Sequence, residues 1–98
     1  MKQFDVYRTR QGDLVCILQH RFLLDRATVM VCLVTRTDDA AVKGLTPAVT
    51  IEDHRHLLDV TTQIPVKASS LRGLELVATL EDQRDEVLNA INMLYWGI

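Results

Sequence analysis

The chain has 98 residues, 48% of them hydrophobic and 24% charged, with a formal net charge of −2. That length allows one domain, residues 1–98, with one modest core, and that balance excludes a disordered or low-complexity chain. No run of about 18 apolar residues could span a membrane, and the opening MKQFDVYRTRQGD lacks the apolar stretch of a signal peptide, so a cytoplasmic protein is expected.

The first segment, Phe4 and Val6 followed by Leu14, Cys16 and Leu18, repeats with period two and predicts two strands. Between them RTRQGD, residues 8–13, carries Gly12-Asp13 and predicts a hairpin loop. Phe22-Leu23-Leu24 is a short apolar run bracketed by charge, suited to the core or to a patch that meets a partner. VMVCLV, residues 29–34, predicts a strand filling a sheet, and TDDAAVKG, residues 37–44, a second loop. Cys16 and Cys32 lie inside apolar runs and are expected to be buried and reduced, since a free thiol behaves there as a small hydrophobe.

Pro47 introduces a strand with Val49 and Ile51 facing one way. HLLDVTT predicts another, and Ile64-Pro65-Val66 an edge strand, because proline cannot donate to a ladder. The stretch 69–79, SSLRGLELVAT, fits strand or helix equally. The final segment predicts a helix. Thr79 with Leu80, Glu81 and Asp82 resembles a capping box; Leu80, Val87, Leu88, Ile91, Leu94 and Tyr95 share one stripe; Gly97 ends it. Strands followed by one amphipathic helix make an α+β arrangement.

Little here suggests catalysis. In Asp53-His54-Arg55-His56 the two histidines would face one side of a strand, but further metal ligands at convincing spacing are missing, which favours a polar strand end. His20, between Gln19 and Arg21, is expected to be exposed. No phosphate-cradling glycine loop or nucleophile elbow is present. Residues 1–36 hold Lys2, Arg8, Arg10, Arg21, Arg26 and Arg36 against Asp5, Asp13 and Asp25, whereas residues 37–98 hold five cations against ten anions. A net-acidic chain argues against general nucleic-acid binding, while its basic first third could serve an acidic partner peptide.

The ending NAINMLYWGI, residues 89–98, places the one tryptophan, Trp96, where the helix runs out beside an uncovering glycine, so geometry leaves it half-exposed. With this tail, the opening QFDVY, Leu23-Leu24-Asp25, the Pro47, Val49, Ile51, Asp53 spacing and Ile64-Pro65-Val66, the chain resembles the CcdB family. Members are toxins of plasmid and chromosomal toxin–antitoxin pairs that poison DNA gyrase. The chain departs from that pattern at Cys32, where the family has proline, in a shorter loop at 8–13 and in a longer segment at 69–79.

The resemblance implies a small SH3-like antiparallel β-barrel with an additional short sheet and a C-terminal α-helix, assembled as a homodimer. It also implies binding to the gyrase A subunit and trapping of the cleaved gyrase–DNA complex. The implied contacts are Trp96, Gly97 and Ile98, extended by Tyr95 and Asn92 and flanked by Leu23 and Leu24. A CcdA-like antitoxin would engage Arg8, Thr9, Arg10 and Gln11 of the first loop and Asp38 and Asp39 of the second. No catalytic residue, metal, cofactor, membrane contact or specific nucleic-acid contact is implied. The rival readings are an RNA-cleaving toxin on the same barrel, using Arg26 with Thr28, and a non-toxic binding module.

Overall fold

In the computed structural model, which describes residues 1–20, 26–36 and 44–97, the apolar residues of the first three strands alternate between two cores. Strands β1 (Asp5–Arg8), β2 (Leu14–Ile17) and β3 (Thr28–Thr35) pair antiparallel in sequence. Phe4, Val6, Leu14, Cys16, Leu18, Cys32 and Val34 bury into one face, as the period-two spacing predicts. Tyr7, Val15, Ile17, Val29 and Val31 bury into the opposite face. Because both faces are covered, these strands are nearly continuous apolar runs.

Strands β4 (Ala48–Ile51), β5 (His54–Lys67) and β6 (Glu75–Thr79) complete one six-stranded sheet in the order β4-β5-β3-β2-β1-β6. It curls into a nearly closed antiparallel barrel. The short β4–β5 pairing, Ala48 to Ile51 against Leu57 to His54, is continuous with that sheet. Val49 and Ile51 both enter the first core, as expected.

HLLDVTT and the IPV step, expected as separate strands, form the single 14-residue strand β5. A bulge joins them: Asp59 opposes Leu33 and Gln63 opposes Cys32, so Val60, Thr61 and Thr62 have no partner on β3. An odd insertion reverses the alternation. Leu58 and Val60 therefore face the first core, whereas Val66 packs on the second. Beyond Leu57, β5 pairs only with β3, which is where Pro65 is tolerated.

Asp59 holds this bulge by accepting hydrogen bonds from the Thr61 hydroxyl, the Thr61 amide (3.1 Å) and the Thr62 hydroxyl (2.7 Å). Burial raises its carboxyl, but those hydrogen bonds outweigh it and leave the pKa below the ordinary value of 3.8. A depressed folded pKa stabilises fully above the unfolded value and loses that stabilisation as pH falls through the folded one. Asp59→Asn is thus expected to lower the urea midpoint at pH 7, with a gap from wild type that narrows below about pH 4. A gap independent of pH would show that the carboxylate does not secure the bulge.

The barrel seam lies between β4 and β6, the two ends of the strand order. Arg8, at the end of β1, bridges it by pairing with Glu52 of the β4–β5 turn and with Glu75 of β6 at 2.9 Å. Both carboxylates raise its pKa, that of Glu75 most. Arg8→Ala is expected to lower the melting temperature in low salt, and raising the salt to about 1 M should erase most of the difference, since exposed ion pairs are screened. An undiminished difference would assign the effect to packing instead.

The ambiguous segment 69–79 divides into a one-turn helix, α1 (Ala68–Leu71), and β6. The capping box expected at Thr79 does not form. Thr79 pairs with Asp5 in the β1–β6 ladder, so its backbone is already committed. A 3₁₀ turn (Glu81–Gln83) follows instead, and helix α2 runs from Arg84 to Trp96 without a side-chain cap. The Leu80 amide extends the β1–β6 pairing by donating to the Phe4 carbonyl at 2.9 Å, and the Gln83 side chain ties the seam by donating to the Ala48 carbonyl at 3.0 Å.

Asp85 and Glu86 sit in the first turn of α2, where the helix dipole favours acids. Leu80, Val87 and Ala90 close the first core, with Leu88 and Ile91 packed against it. Fully burying Val87 contributes roughly 1.5–3 kcal/mol. Tyr95, expected on this stripe, stands off it and is exposed; Ala90 takes part in the burial instead. Gly97 ends the helix at φ 72° and its amide donates to the Met93 carbonyl at 2.9 Å, the left-handed termination expected of glycine.

Cys16 and Cys32 are free, fully buried and directly opposed across β2 and β3. The contact with Cys32 and then burial push the Cys16 thiol well above its ordinary pKa, which keeps it protonated and unreactive.

Candidate functional site

Helix α2 outruns the core it closes. Val87 and Ala90 are sealed, but one turn later Met93 is 39% exposed, Tyr95 60% and Trp96 75%. An isolated exposed tryptophan is uncommon, because its ring carries a large hydrophobic area. Three exposed apolar side chains within one turn of a helix end suit a partner surface. Asn92 is exposed on the same turn. Gly97 then breaks the helix, and a Cβ there would touch nothing within 4 Å among the described residues beyond its chain neighbours.

Two contacts fix this end. The Tyr95 hydroxyl donates to the Gln63 side-chain oxygen at 2.8 Å, tying the last turn to the bulge of β5. Gln63 is itself oriented by donating to the Val60 carbonyl at 3.0 Å. Met93 lies against Gly44, where a Cβ would come within 2.8 Å of the Met93 sulfur, and Gly44 adopts φ 83°. Gly44 thus lies against the exposed helix end. Neither Gln63 nor Met93 was singled out by sequence. The period of α2 could have marked Met93 as an outward residue, but nothing local shows that a bulge delivers Gln63.

The first-loop residues separate into two kinds. Arg8 is engaged by Glu52 and Glu75, and Thr9 shapes the turn: its amide donates to the Asp13 carbonyl at 2.7 Å and its hydroxyl accepts from the Asp13 amide at 3.1 Å. Arg10 and Gln11 project into solvent. The loop and the helix end are not brought together into one site. Leu23 and Leu24, Asp38 and Asp39, and Ile98 lie outside the described residues.

His54 and the preceding Glu52 and Asp53 are exposed at the β4–β5 turn, whereas His56 is buried, its Nδ1 3.0 Å from the His54 carbonyl. No group of three or more metal-ligating side chains occurs among the described residues. His20 is exposed, as expected. Among the described residues no helix is long and apolar enough to cross a membrane.

Comparison with solved structures finds the Mycobacterium tuberculosis toxin MazF-mt6, with a TM-score of 0.73 and 14% identity, covering 92% of this chain and 93% of that one. At that identity the likeness concerns the fold alone. A search of curated proteins finds no match. The family model described as CcdB protein matches residues 3–97, nearly the whole chain, including the exposed helix end. The chain belongs to the CcdB family, the toxins of toxin–antitoxin pairs, which act by binding a protein.

Proposed function

We propose that this protein poisons DNA gyrase: the end of α2 inserts against the gyrase A subunit and traps the enzyme with its DNA cut, and an antitoxin opposes it. The observation that carries this is Trp96, three-quarters exposed at a helix end that its own domain leaves uncovered. The chemistry suits a cationic target. No basic residue occupies the last turn of α2, so the helix leaves its partial negative charge to a partner. An arginine stacked on the indole would contribute about 0.5–2 kcal/mol.

In a twofold homodimer with the helix ends near the axis, two copies of Trp96 form one aromatic knob. Gly97 and Ile98 complete the contact, Asn92 and Tyr95 widen it, and Leu23 and Leu24 flank it. Such a poison needs differential affinity for one state of its target and no catalytic group.

Purified protein added to gyrase and supercoiled plasmid should accumulate linear, protein-linked DNA. Degradation of RNA without gyrase would instead establish the RNA-cleaving reading, for which Arg26 and Thr28, both exposed at the start of β3, are the available side chains. Neither activity would leave a non-toxic binding module.

A further inference from the structure

Helix α1 turns Ala68 and Leu71 into the second core, which leaves Lys67, Ser69, Ser70 and Arg72 outward and exposed. Ladder register places this segment. Lys67 opposes Thr28 on β3, and the Ala68 amide donates to the Ala27 carbonyl at 2.8 Å, which sets the exposed Arg26 beside Lys67. Farther on, Glu75 opposes Arg8 on β1. The chain between them therefore crosses from the start of β3 to the first loop, where Arg10 lines one hollow together with Ser69 and Ser70.

The crossing carries a row of cations, Arg26, Lys67, Arg72 and Arg10, separated by the two serine hydroxyls. None of these cations has an ion-pair partner among the described residues. Neither 26–36 nor 64–74 contains an acid. Glu75 is held by Arg8, Asp13 closes the first loop, and Asp25 lies outside the described residues. A net charge of −2 thus conceals a locally positive face. Cations set among hydroxyls fit a run of phosphates, which such groups bind through backbone oxygens without reading bases. Binding of single strands adds aromatic platforms on which unpaired bases stack. Because 26–36 and 64–74 hold no aromatic residue, a duplex, whose bases are already stacked, fits better.

We propose that this face binds the phosphate backbone of duplex DNA without regard to sequence, and that the duplex is the one gyrase holds. The second clause rests on the gyrase reading above, whereas the first does not. Position links the two surfaces: Gln63, which holds Tyr95 at the helix end, and Lys67 are four residues apart on β5, roughly 13 Å of extended chain. A protein docked through its helix end brings the basic face along to the DNA.

The test titrates the full chain, labelled with 15N, with two short duplexes of unrelated sequence, an oligouridine and an oligoglutamate. Both duplexes should shift the amides of residues 26–28 and 67–74 with equal affinity. Raising the salt from about 50 to about 200 mM should weaken them roughly fortyfold, as expected for about three phosphate contacts. Lys67→Ala and Arg72→Ala alter exposed side chains, so the melting temperature should hold, while each lowers the slope of log affinity against log salt by about one. Combining Lys67→Glu with Arg72→Glu should erase the duplex shifts. It should also raise by about tenfold the protein needed to trap cut DNA, with binding to DNA-free gyrase A unchanged. Absent duplex shifts, stronger shifts with oligouridine, equal shifts with oligoglutamate, or an unchanged salt slope in both alanine variants would each overturn the proposal. A double variant of full potency on gyrase would overturn the placement of the duplex. The titrations need no gyrase: duplex shifts without trapping sink only the gyrase reading, and trapping without duplex shifts sinks only this proposal.

Discussion

Trp96→Ala is expected to abolish gyrase trapping and cell killing without lowering the melting temperature. The ring is 75% exposed, so its removal takes almost nothing from the core closed by Val87 and Ala90. Substitutions at such positions usually change stability by less than about 0.5 kcal/mol. Loss of an aromatic anchor at the centre of an interface, by contrast, costs about 2 kcal/mol or more, on the order of thirtyfold in affinity. The comparison needs gyrase cleavage titrations and thermal melts on the same preparations. A variant that still traps cut DNA at wild-type concentrations, or one that melts many degrees lower, would remove Trp96 from the role assigned to it. Tyr95→Phe offers a graded companion, since it keeps the ring and removes only the hydroxyl that reaches Gln63.

Phe4→Ala should have the opposite profile, with a large loss of stability. Phe4 is fully buried in the first core, its amide donates to the Ile17 carbonyl at 2.7 Å and its carbonyl accepts from Leu80. The Arg84 guanidinium lies over the ring, 5.4 Å from its centre. Emptying such a site costs about 3–5 kcal/mol, a large share of the roughly 5–15 kcal/mol that holds a domain together. Phe4 also sits at φ 69°, a left-handed conformation that alanine tolerates no better, so the substitution recovers no backbone strain. Urea midpoints measure the effect. A loss under about 1 kcal/mol would mean that the barrel and α2 collapse into the vacated space.

Much of the fold is legible because local spacing carries it. The alternation of Phe4, Val6, Leu14, Cys16 and Leu18, the pairing of Val49 with Ile51, and the glycine after α2 each state their environment within a few residues. The misread parts depend on distant partners. Thr79 has the residue type of a helix cap, but its backbone belongs to β1, far away in sequence. HLLDVTT and IPV look like separate strands because the bulge between them reverses the facing of residues that a single pattern would keep in phase. At the helix end the exposure of Trp96 follows from where the stripe stops, whereas Gln63 and Gly44 arrive from other elements.

Arg8 and Gln83 reach across the seam with side chains, where every other neighbouring pair of strands is laced by backbone. Side-chain ties break one at a time and at modest cost, so the sheet should breathe there before anywhere else. In hydrogen exchange, the outward amides of β4 and β6 would trade with solvent early, while those of β2 and β3, paired on both flanks, wait for global unfolding.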